Sequence, residues 1–245
     1  MEITFFGTSH GYSDNGKFLS SALLEAGGVS YLIDAGAPVE SLMLKYGKNS
    51  DDMRGIFITH MHNDHVVSLP SVIEQFLRFR YNDKVKCFLP EEEGLKAYLA
   101  WEKALHMDVE KIQKTVKFYV VKEGVIYEEN GVKVTAMPTN HLEHGKYPAF
   151  SYMFEYDGKR VLFTGDMDAR FPEYESIVGD REYDLVVCEM AHAGFFEVWE
   201  KLAKTKTKKM IINHTWAPCM GDYLPLFEKM PFEIELAYDG QKVEL

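Results

Sequence analysis

The sequence contains few cysteines and no pattern that would pair them. Its three, Cys87, Cys188 and Cys219, lack the Cys-x-x-Cys spacing of thiolate zinc sites and are too few for a disulfide framework. This cysteine usage excludes a thiolate zinc site and a disulfide framework. We therefore expect a cytosolic (cytoplasmic) protein.

Positive charge is also scarce. The 27 Lys and Arg residues stand against 38 Asp and Glu residues, which gives a formal net charge of −11. A long nucleic acid is bound mainly through a broad basic surface. The charge balance therefore disfavours a long nucleic acid as the ligand.

Long hydrophobic runs and linkers are missing as well. No apolar run approaches the roughly 18 residues that a membrane span needs, and the chain starts with a strand-like segment, Glu2 to Phe6, instead of a basic region followed by an apolar one. We therefore expect neither a membrane protein nor a secreted one. Because no Pro/Gly/Ser-rich or low-complexity tract interrupts the sequence, we interpret residues 1–245 as a single domain.

Short β-rich runs alternate with stretches of helical periodicity, which predicts an α/β fold. Glycine and Asp-Gly turns separate some runs closely enough for hairpins, so the sheets should be partly antiparallel. The predicted helices are Ser71–Arg80, Glu91–Leu105 and Gly194–Lys204. The predicted strands are Ile3–Phe6, Ala22–Ala26, Tyr31–Asp34, Gly55–Thr59, Val85–Leu89, Val116–Val121, Val132–Met137, Phe150–Tyr156, Arg160–Thr164, Leu185–Glu189 and Lys209–Asn213.

The two halves of the chain resemble each other weakly. Residues 24–34 and 154–166 each read as a hairpin that ends in an acidic loop, and each is followed by a strand that leads to a histidine, His60 or His214. This similarity predicts two related halves that face each other, with loop residues gathered at one edge of both.

The strongest chemical signal is the segment Thr59-His60-Met61-His62-Asn63-Asp64-His65. Residues two apart at a strand exit point to the same side, so His60 and His62 can bind one ion. Asp64 and His65, where the chain turns into a helix, can reach a second ion. Imidazole and carboxylate ligands suit zinc, manganese or iron.

One segment cannot complete two coordination spheres, so other parts of the chain must contribute ligands. Three candidates follow predicted strands: His141, Asp166 and His214. Asp34, after another strand, is interpreted as a carboxylate that orients a ligand beside the site.

These motifs resemble those of the metallo-β-lactamase fold superfamily of hydrolases. The His-x-His-x-Asp-His string, the later His141, Gly165-Asp166 and His214 carry the resemblance, which extends over the whole chain from Phe5-Phe6-Gly7-Thr8 onward. It implies a four-layer αββα sandwich of two mixed β-sheets flanked by helices. Within the superfamily, the chain looks most similar to the ribonuclease Z and small phosphodiesterase branch.

The resemblance also implies a ligand set. His60, His62 and His141 would hold the first divalent ion, Asp64, His65 and His214 the second, and Asp166 would bridge them. The expected cofactors are two zinc ions, with manganese or iron as alternatives. A hydroxide between the ions would be the nucleophile, with Asp64 among the catalytic residues.

His144 and His192 are further candidates for catalysis. His144 lies three residues after His141, and His192 follows the predicted strand Leu185–Glu189 on the same sheet edge. Either imidazole could give a proton to a leaving group.

The sequence departs from ribonuclease Z in ways that bear on the substrate. Asp166 follows His141 by only 25 positions, which leaves no room there for the long tRNA-binding arm of that family, and residues 193–207 contain no His-Ser-Thr triplet. Asp166 also stands where the antibiotic-hydrolysing branch carries Cys, and His62 where flavodiiron proteins carry Glu. These differences favour a small-molecule substrate.

Three functions therefore remain open. The first is a dinuclear metal-dependent phosphodiesterase on a small or nucleotide-like substrate. The second is a hydrolase of thioesters, lactones or other carboxyl derivatives, because fold alone does not choose between these reactions. The third is a non-catalytic accessory protein on the same scaffold, although the ligand set is complete.

One apolar helix face has two interpretations. Tyr98, Trp101 and Leu105, together with Phe76 and Phe79, could form core or line a homodimer contact. We interpret them as core.

Overall fold

The computed structural model describes residues 1–14, 16–78 and 82–245. Within these residues the chain forms two seven-stranded sheets. The first has the strand order β14-β1-β2-β3-β4-β5-β6 and the second β13-β12-β11-β10-β9-β8-β7. The strands are β1 (Glu2–Gly7), β2 (Ser21–Ala26), β3 (Val29–Ile33), β4 (Met53–Phe57), β5 (Lys86–Leu89), β6 (Lys117–Val120), β7 (Gly124–Glu129), β8 (Val132–Pro138), β9 (Phe150–Tyr156), β10 (Lys159–Phe163), β11 (Tyr183–Met190), β12 (Thr207–Thr215), β13 (Glu233–Leu236) and β14 (Lys242–Glu244).

Helices cover the outer face of each sheet. Among the helices described, none is long and apolar enough to cross a membrane. They are α1 (Val39–Lys45), α2 (Asn63–Val66), α3 (Leu69–Arg78), α4 (Glu92–Ala104), α5 (Val109–Thr115), α6 (Tyr174–Val178), α7 (Phe195–Leu202), α8 (Ala217–Met220) and α9 (Leu224–Phe227), with a 3₁₀ turn at Ser50–Asp52.

Three apolar layers hold these elements together. Side chains such as Phe5, Phe57 and Phe154 fill the space between the two sheets. A second layer packs α1, α3, α4 and α5 on the first sheet, and a third packs α6 and α7 on the second sheet. Because each sheet is buried on both faces, the architecture is the four-layer αββα sandwich that the resemblance implied.

The direction of the strands explains where functional residues can meet. In the first sheet β3 and β4 are parallel. In the second sheet β10, β11 and β12 are parallel, and β8 has the same direction because both β8 and β10 are antiparallel to β9. The carboxyl ends of these strands therefore lie at one edge of each sheet, as the similarity of the two halves predicted.

The predicted elements agree with the structure except at the sheet margins. All eleven predicted strands and all three predicted helices are present with small shifts of their ends. The prediction missed β7, β13 and β14, and also the short helices α1, α5, α6, α8 and α9. The alternation of charged and apolar residues in β13 and β14 gives little hydrophobic signal. β13 and β14 are edge strands that each pair with one neighbour, so a segment with apolar residues on one face only can form them. Phe79 and Arg80, predicted in a helix, lie outside the described residues.

The interpretation of the apolar helix face as core is wrong in part. Phe76 and Tyr98 are buried, but Trp101 is 62% and Leu105 46% exposed. The helix α4 buries only the narrow stripe of Gly94, Tyr98 and Glu102, so side chains next to this stripe face solvent.

Candidate metal centre

The histidine-rich segment after β4 forms one side of the centre. The strand ends at Phe57, so His60 lies in the connection to α2 and not at the strand exit where it was predicted. The helix α2 has His62 as its N-cap and carries Asp64 and His65 in its first turn. His60, Asp64 and His65 are buried, whereas His62 is exposed.

The second sheet supplies the other side. His141 follows β8 and Asp166 follows β10, as predicted, but His214 lies inside β12. Its backbone is left-handed, with φ of 49°, which is strained for a histidine and typical of functional sites. Gly165 is also left-handed, and a Cβ there would lie 2.6 Å from the carbonyl oxygen of Phe150, so only glycine lets the chain approach closely enough to place Asp166.

The structure brings all seven predicted ligands together in two clusters. In each cluster, one donor atom from every residue lies within 4.8 Å of the others. The first cluster consists of His60, His62, His141 and Asp166, and the second of Asp64, His65 and His214.

Asp166 lies between the two clusters. Its Oδ2 is 3.2 Å from His214 Nε2 and 3.5 Å from His65 Nε2 in the second cluster. The same oxygen is 3.7 Å from Nε2 of both His60 and His141 in the first cluster. Asp166 is the residue of the seven whose carboxylate faces histidines of both clusters.

The donors fit divalent ions. Nε2 of His60, Nε2 of His65 and Oδ1 of Asp166 are buried and have no hydrogen-bond partner among the residues that the structure describes. Buried polar atoms are normally paired, and imidazole with carboxylate is the donor set of zinc, manganese and iron sites. Two ions, one in each cluster, would satisfy these atoms.

The electrostatics of the donors favour ligation by the first cluster. Burial lowers the pKa of His60 and His141, and partial desolvation of the ring at the edge of the cluster lowers that of His62, so these imidazoles are neutral and have a free lone pair. Burial opposes the charge of Asp166, but the neighbouring histidines outweigh it and hold its pKa well below the usual range. Asp166 is therefore an anion between the clusters.

Asp34 orients two of the histidines from behind. Its Oδ2 accepts a hydrogen bond from His65 Nδ1 at 2.7 Å, and its Oδ1 accepts one from the Thr59 amide at 2.8 Å. The Thr59 hydroxyl lies 3.0 Å from Asp34 Oδ2 and 3.1 Å from His60 Nδ1. Both histidines therefore use Nδ1 toward Asp34, directly or through Thr59, and keep Nε2 for an ion.

His192 lies beside the clusters, as predicted. Its ring centre is 4.6 Å from that of His141, and its Nδ1 is 3.0 Å from Glu189 Oε1 and 3.9 Å from Asp166 Oδ2. Burial lowers the pKa of His192, but the bond to Glu189 and the charges of Glu189 and Asp166 outweigh burial and raise this pKa to about 9.

His144 lies apart from the clusters. Its side chain is 86% exposed, and its Nδ1 pairs with Asp168 Oδ2 at 2.7 Å. Neither His144 nor Asp168 belongs to the two clusters, although Asp168 is only two residues after Asp166. A role of His144 in catalysis stays a prediction.

Sequence reasoning missed the supporting carboxylate Glu189. It accepts hydrogen bonds from the backbone amides of Met167, Ala191 and His192, and so ties the end of β11 to the loop of Asp166. Its signal was present in the sequence, since Glu189 is an acidic residue near the end of an otherwise apolar strand.

Comparisons with known proteins agree with this architecture. Residues 1–224 match the model of the family described as "Anti-Pycsar protein Apyc1". A ribonuclease Z of Synechococcus sp. (strain CC9311) is 31% identical over 173 residues, which are 68% of this chain and 52% of that protein. The chain thus spans about half the length of this curated relative.

Solved structures share the fold over almost the whole chain. The metallo-β-lactamase fold protein YhfI from Bacillus subtilis has a TM-score of 0.76 at 15% identity and covers 99% of both chains. A diphosphatase from the PhnP family has a TM-score of 0.73 at 18% identity, over 100% of this chain and 97% of that one. With the αββα sandwich, the two clusters and the match over residues 1–224, the chain belongs to the anti-Pycsar protein Apyc1 family and is a metallo-β-lactamase-fold relative of ribonuclease Z.

Proposed function

We propose that the protein is a dinuclear metal-dependent phosphodiesterase that acts on a small or nucleotide-like substrate. One observation carries the proposal. Asp166 Oδ2 lies 3.7 Å from His60 in the first cluster and 3.2 Å from His214 in the second. Two neighbouring donor clusters with a common carboxylate suit a pair of ions that acts on the attacking and leaving oxygens of one displacement.

The first cluster would hold one ion and the second cluster the other, with Asp166 between them. When bound, the ions supply Lewis acidity that polarises the phosphoryl oxygens and lowers the pKa of the attacking water. We propose zinc as the metal, with manganese or iron as alternatives that elemental analysis distinguishes.

The relatives support phosphorus chemistry. The curated relatives carry the name ribonuclease Z, and the PhnP-family neighbour is described as a diphosphatase. A small substrate is supported by the chain itself, since β9 and β10 occupy much of the stretch between His141 and Asp166, and the net charge of −11 opposes a long polyanion. A cytosolic location and a homodimer stay predictions.

His192 is proposed as the proton donor to the leaving group. Because its Nδ1 is bonded to Glu189, its Nε2 is the nitrogen left for proton transfer. The attacking water would first give one proton to solvent; the hydroxide oxygen would then form a bond to phosphorus while the bond to the leaving oxygen breaks, that oxygen would take the proton of His192, and neutral His192 would regain a proton from solvent. General acid catalysis of this kind contributes about 10²–10⁴ in rate.

A substrate panel tests the reaction class. Purified protein with added zinc or manganese is assayed with bis-p-nitrophenyl phosphate, a thioester and a lactone, alongside His62→Ala, which removes one donor of the first cluster. We expect the wild type to hydrolyse the phosphodiester by far the fastest and His62→Ala to lose this activity. A preference for the thioester or lactone would assign carboxyl chemistry, and no turnover with both ions bound would favour an accessory protein.

A second assay tests His192 separately. His192→Ala should retain both metal ions and slow diesters with alkoxide leaving groups about 10²-fold or more. Nitrophenyl diesters should be much less affected because their leaving group needs no proton. His106→Ala is the control, since His106 is exposed and belongs to neither cluster. Equal slowing of both substrates would exclude the proton-donor role.

A further inference from the structure

Two loops of the second sheet place their donors jointly. Thr139 follows β8, and its hydroxyl donates a hydrogen bond to the backbone carbonyl of Asp166 at 2.8 Å. His141 Nδ1 lies 3.3 Å from the carbonyl oxygen of Met167. The positions of His141 and Asp166 in the first cluster therefore depend on how these loops are held against each other.

A carboxylate at the end of the second loop, directly before α6, joins the two loops. Oε1 of Glu173 accepts a hydrogen bond from the Asn140 amide at 2.9 Å and one from the Asp168 amide at 3.0 Å. Asn140 directly precedes His141, and Asp168 is two residues after Asp166. One oxygen atom thus fixes the backbone on both sides of the first cluster, and bonds to a carboxylate are stronger than bonds to a neutral acceptor.

The backbone of Glu173 is anchored firmly. It is the residue before α6, whose Tyr174 is fully buried in the layer behind the second sheet and bonds through its hydroxyl to Thr205 at 2.7 Å. Glu173 itself is only 8% exposed, and its other oxygen, Oε2, is buried without a hydrogen-bond partner in the described part of the chain. Burial of a carboxylate is costly, so this side chain must be held there by its two bonds to the loops.

We propose that Glu173 is a positioning residue for the first cluster, which sets His141 and Asp166 at the distance that an ion needs. This inference rests on the metal binding in the proposed function. The two hydrogen bonds that the Glu173 side chain accepts come from backbone amides and not from any of the seven donor side chains. Glu173 therefore acts through the backbone of Asn140 and Asp168. Supporting residues of this kind typically change metal affinity by about 10–100-fold.

The test is a zinc titration of the full-length protein with a competing chelator. Glu173→Ala should weaken the step that fills the first cluster about 10–100-fold and the other step much less, because Asp166 faces both clusters whereas His141 belongs to the first alone. His62→Ala identifies the affected step, because His62 belongs only to the first cluster. Glu173→Gln should bind zinc nearly as the wild type does, since one amide oxygen can accept both backbone hydrogen bonds. Glu175→Ala is the matched control, because Glu175 lies on α6 with 65% side-chain exposure.

Three results would overturn the proposal in distinguishable ways. Two unchanged binding steps in Glu173→Ala would refute the positioning role alone. Equal weakening of both steps, with a lower melting temperature of the metal-free protein and no rescue by Glu173→Gln, would assign Glu173 to general stability. A wild type that binds no zinc, manganese or iron would refute the proposed function and this inference together.

Discussion

Replacing Asp34 by Asn should damage the centre without touching a donor. Asp34 accepts hydrogen bonds from three groups: the Thr59 amide, the Thr59 hydroxyl and His65 Nδ1. Asn keeps one acceptor oxygen but replaces the other with an NH₂ group, which can only donate. If the amide oxygen stays on Thr59, the NH₂ group faces His65 Nδ1 and forces the proton of His65 onto Nε2, where the ion should bind.

The opposite amide orientation is no better. With its oxygen toward His65, the introduced asparagine would point its NH₂ group at the Thr59 amide, so that two donors oppose each other in a buried site. A buried unsatisfied donor costs about 1–3 kcal/mol, and the loss of a group that orients a ligand costs about 10–100-fold in metal affinity. We expect Asp34→Asn to lose about 1–3 kcal/mol of unfolding free energy and to bind the second ion about 10–100-fold more weakly.

The assay combines denaturant unfolding of the metal-free protein with a zinc titration. Asp157→Asn is the matched control, because Asp157 is also left-handed (φ 49°, against 57° for Asp34) but lies exposed in the β9–β10 turn. Asn tolerates this conformation, so the control isolates the loss of the carboxylate. Asp34→Asn with wild-type affinity for both ions, and a free energy of unfolding like that of the control, would refute the orienting role of Asp34.

Three other predictions test different parts of the molecule. Asp166→Asn should fold but lose about 10³-fold in turnover, equivalent to about 4 kcal/mol, because an amide cannot neutralise two cations; near-wild-type turnover would remove Asp166 from the bridging role. Burial raises the pKa of Glu102, so this group contributes stability that is lost as the pH rises from about 4.3, the unfolded value, to the raised folded value, whereas carboxylates with lowered pKa values such as Asp166 and Asp184 act in the opposite direction. In denaturant unfolding at several pH values, Glu102→Gln should therefore gain stability relative to the wild type as the pH rises through this range, and a difference that does not change with pH would exclude the contribution of Glu102. Chelation should lower the melting temperature, since ions at 100 times their dissociation constant add about 2.7 kcal/mol; calorimetry showing no change would argue against ions binding across the two sheets.

The sequence predicted which residues would lie together because their signal is local. His60, His62, Asp64 and His65 lie within six residues, where spacing alone suggests a metal site, and His141 and Asp166 follow strands that could be predicted from the sequence. The location of His214 inside β12 was not predictable, since its left-handed backbone depends on the surrounding fold.

The supporting groups were harder to find for a physical reason. Glu173 and Glu189 act by accepting hydrogen bonds from backbone amides of other loops. Because every residue except proline has such an amide, the sequence does not indicate which amide will be the donor. Trp101 shows the same limit for packing, because periodicity predicts an apolar face but not how much of it a neighbouring element covers.

The arrangement of the clusters connects metal binding to the fold as a whole. The first sheet contributes His60 and His62 to the first cluster and the second sheet contributes His141, so neither sheet can complete a coordination sphere alone. Protein contacts already join the sheets beneath the centre, where the hydroxyl of Tyr152 donates to the Ile58 carbonyl at 2.7 Å and the Phe150 amide to the Thr59 carbonyl at 3.0 Å. These bonds fix the distance between the sheets without an ion, which would reduce the ordering that metal binding must impose. Each of the two proposed ions would add a further connection between the sheets, so the residues that shape the centre would also stabilise the sandwich.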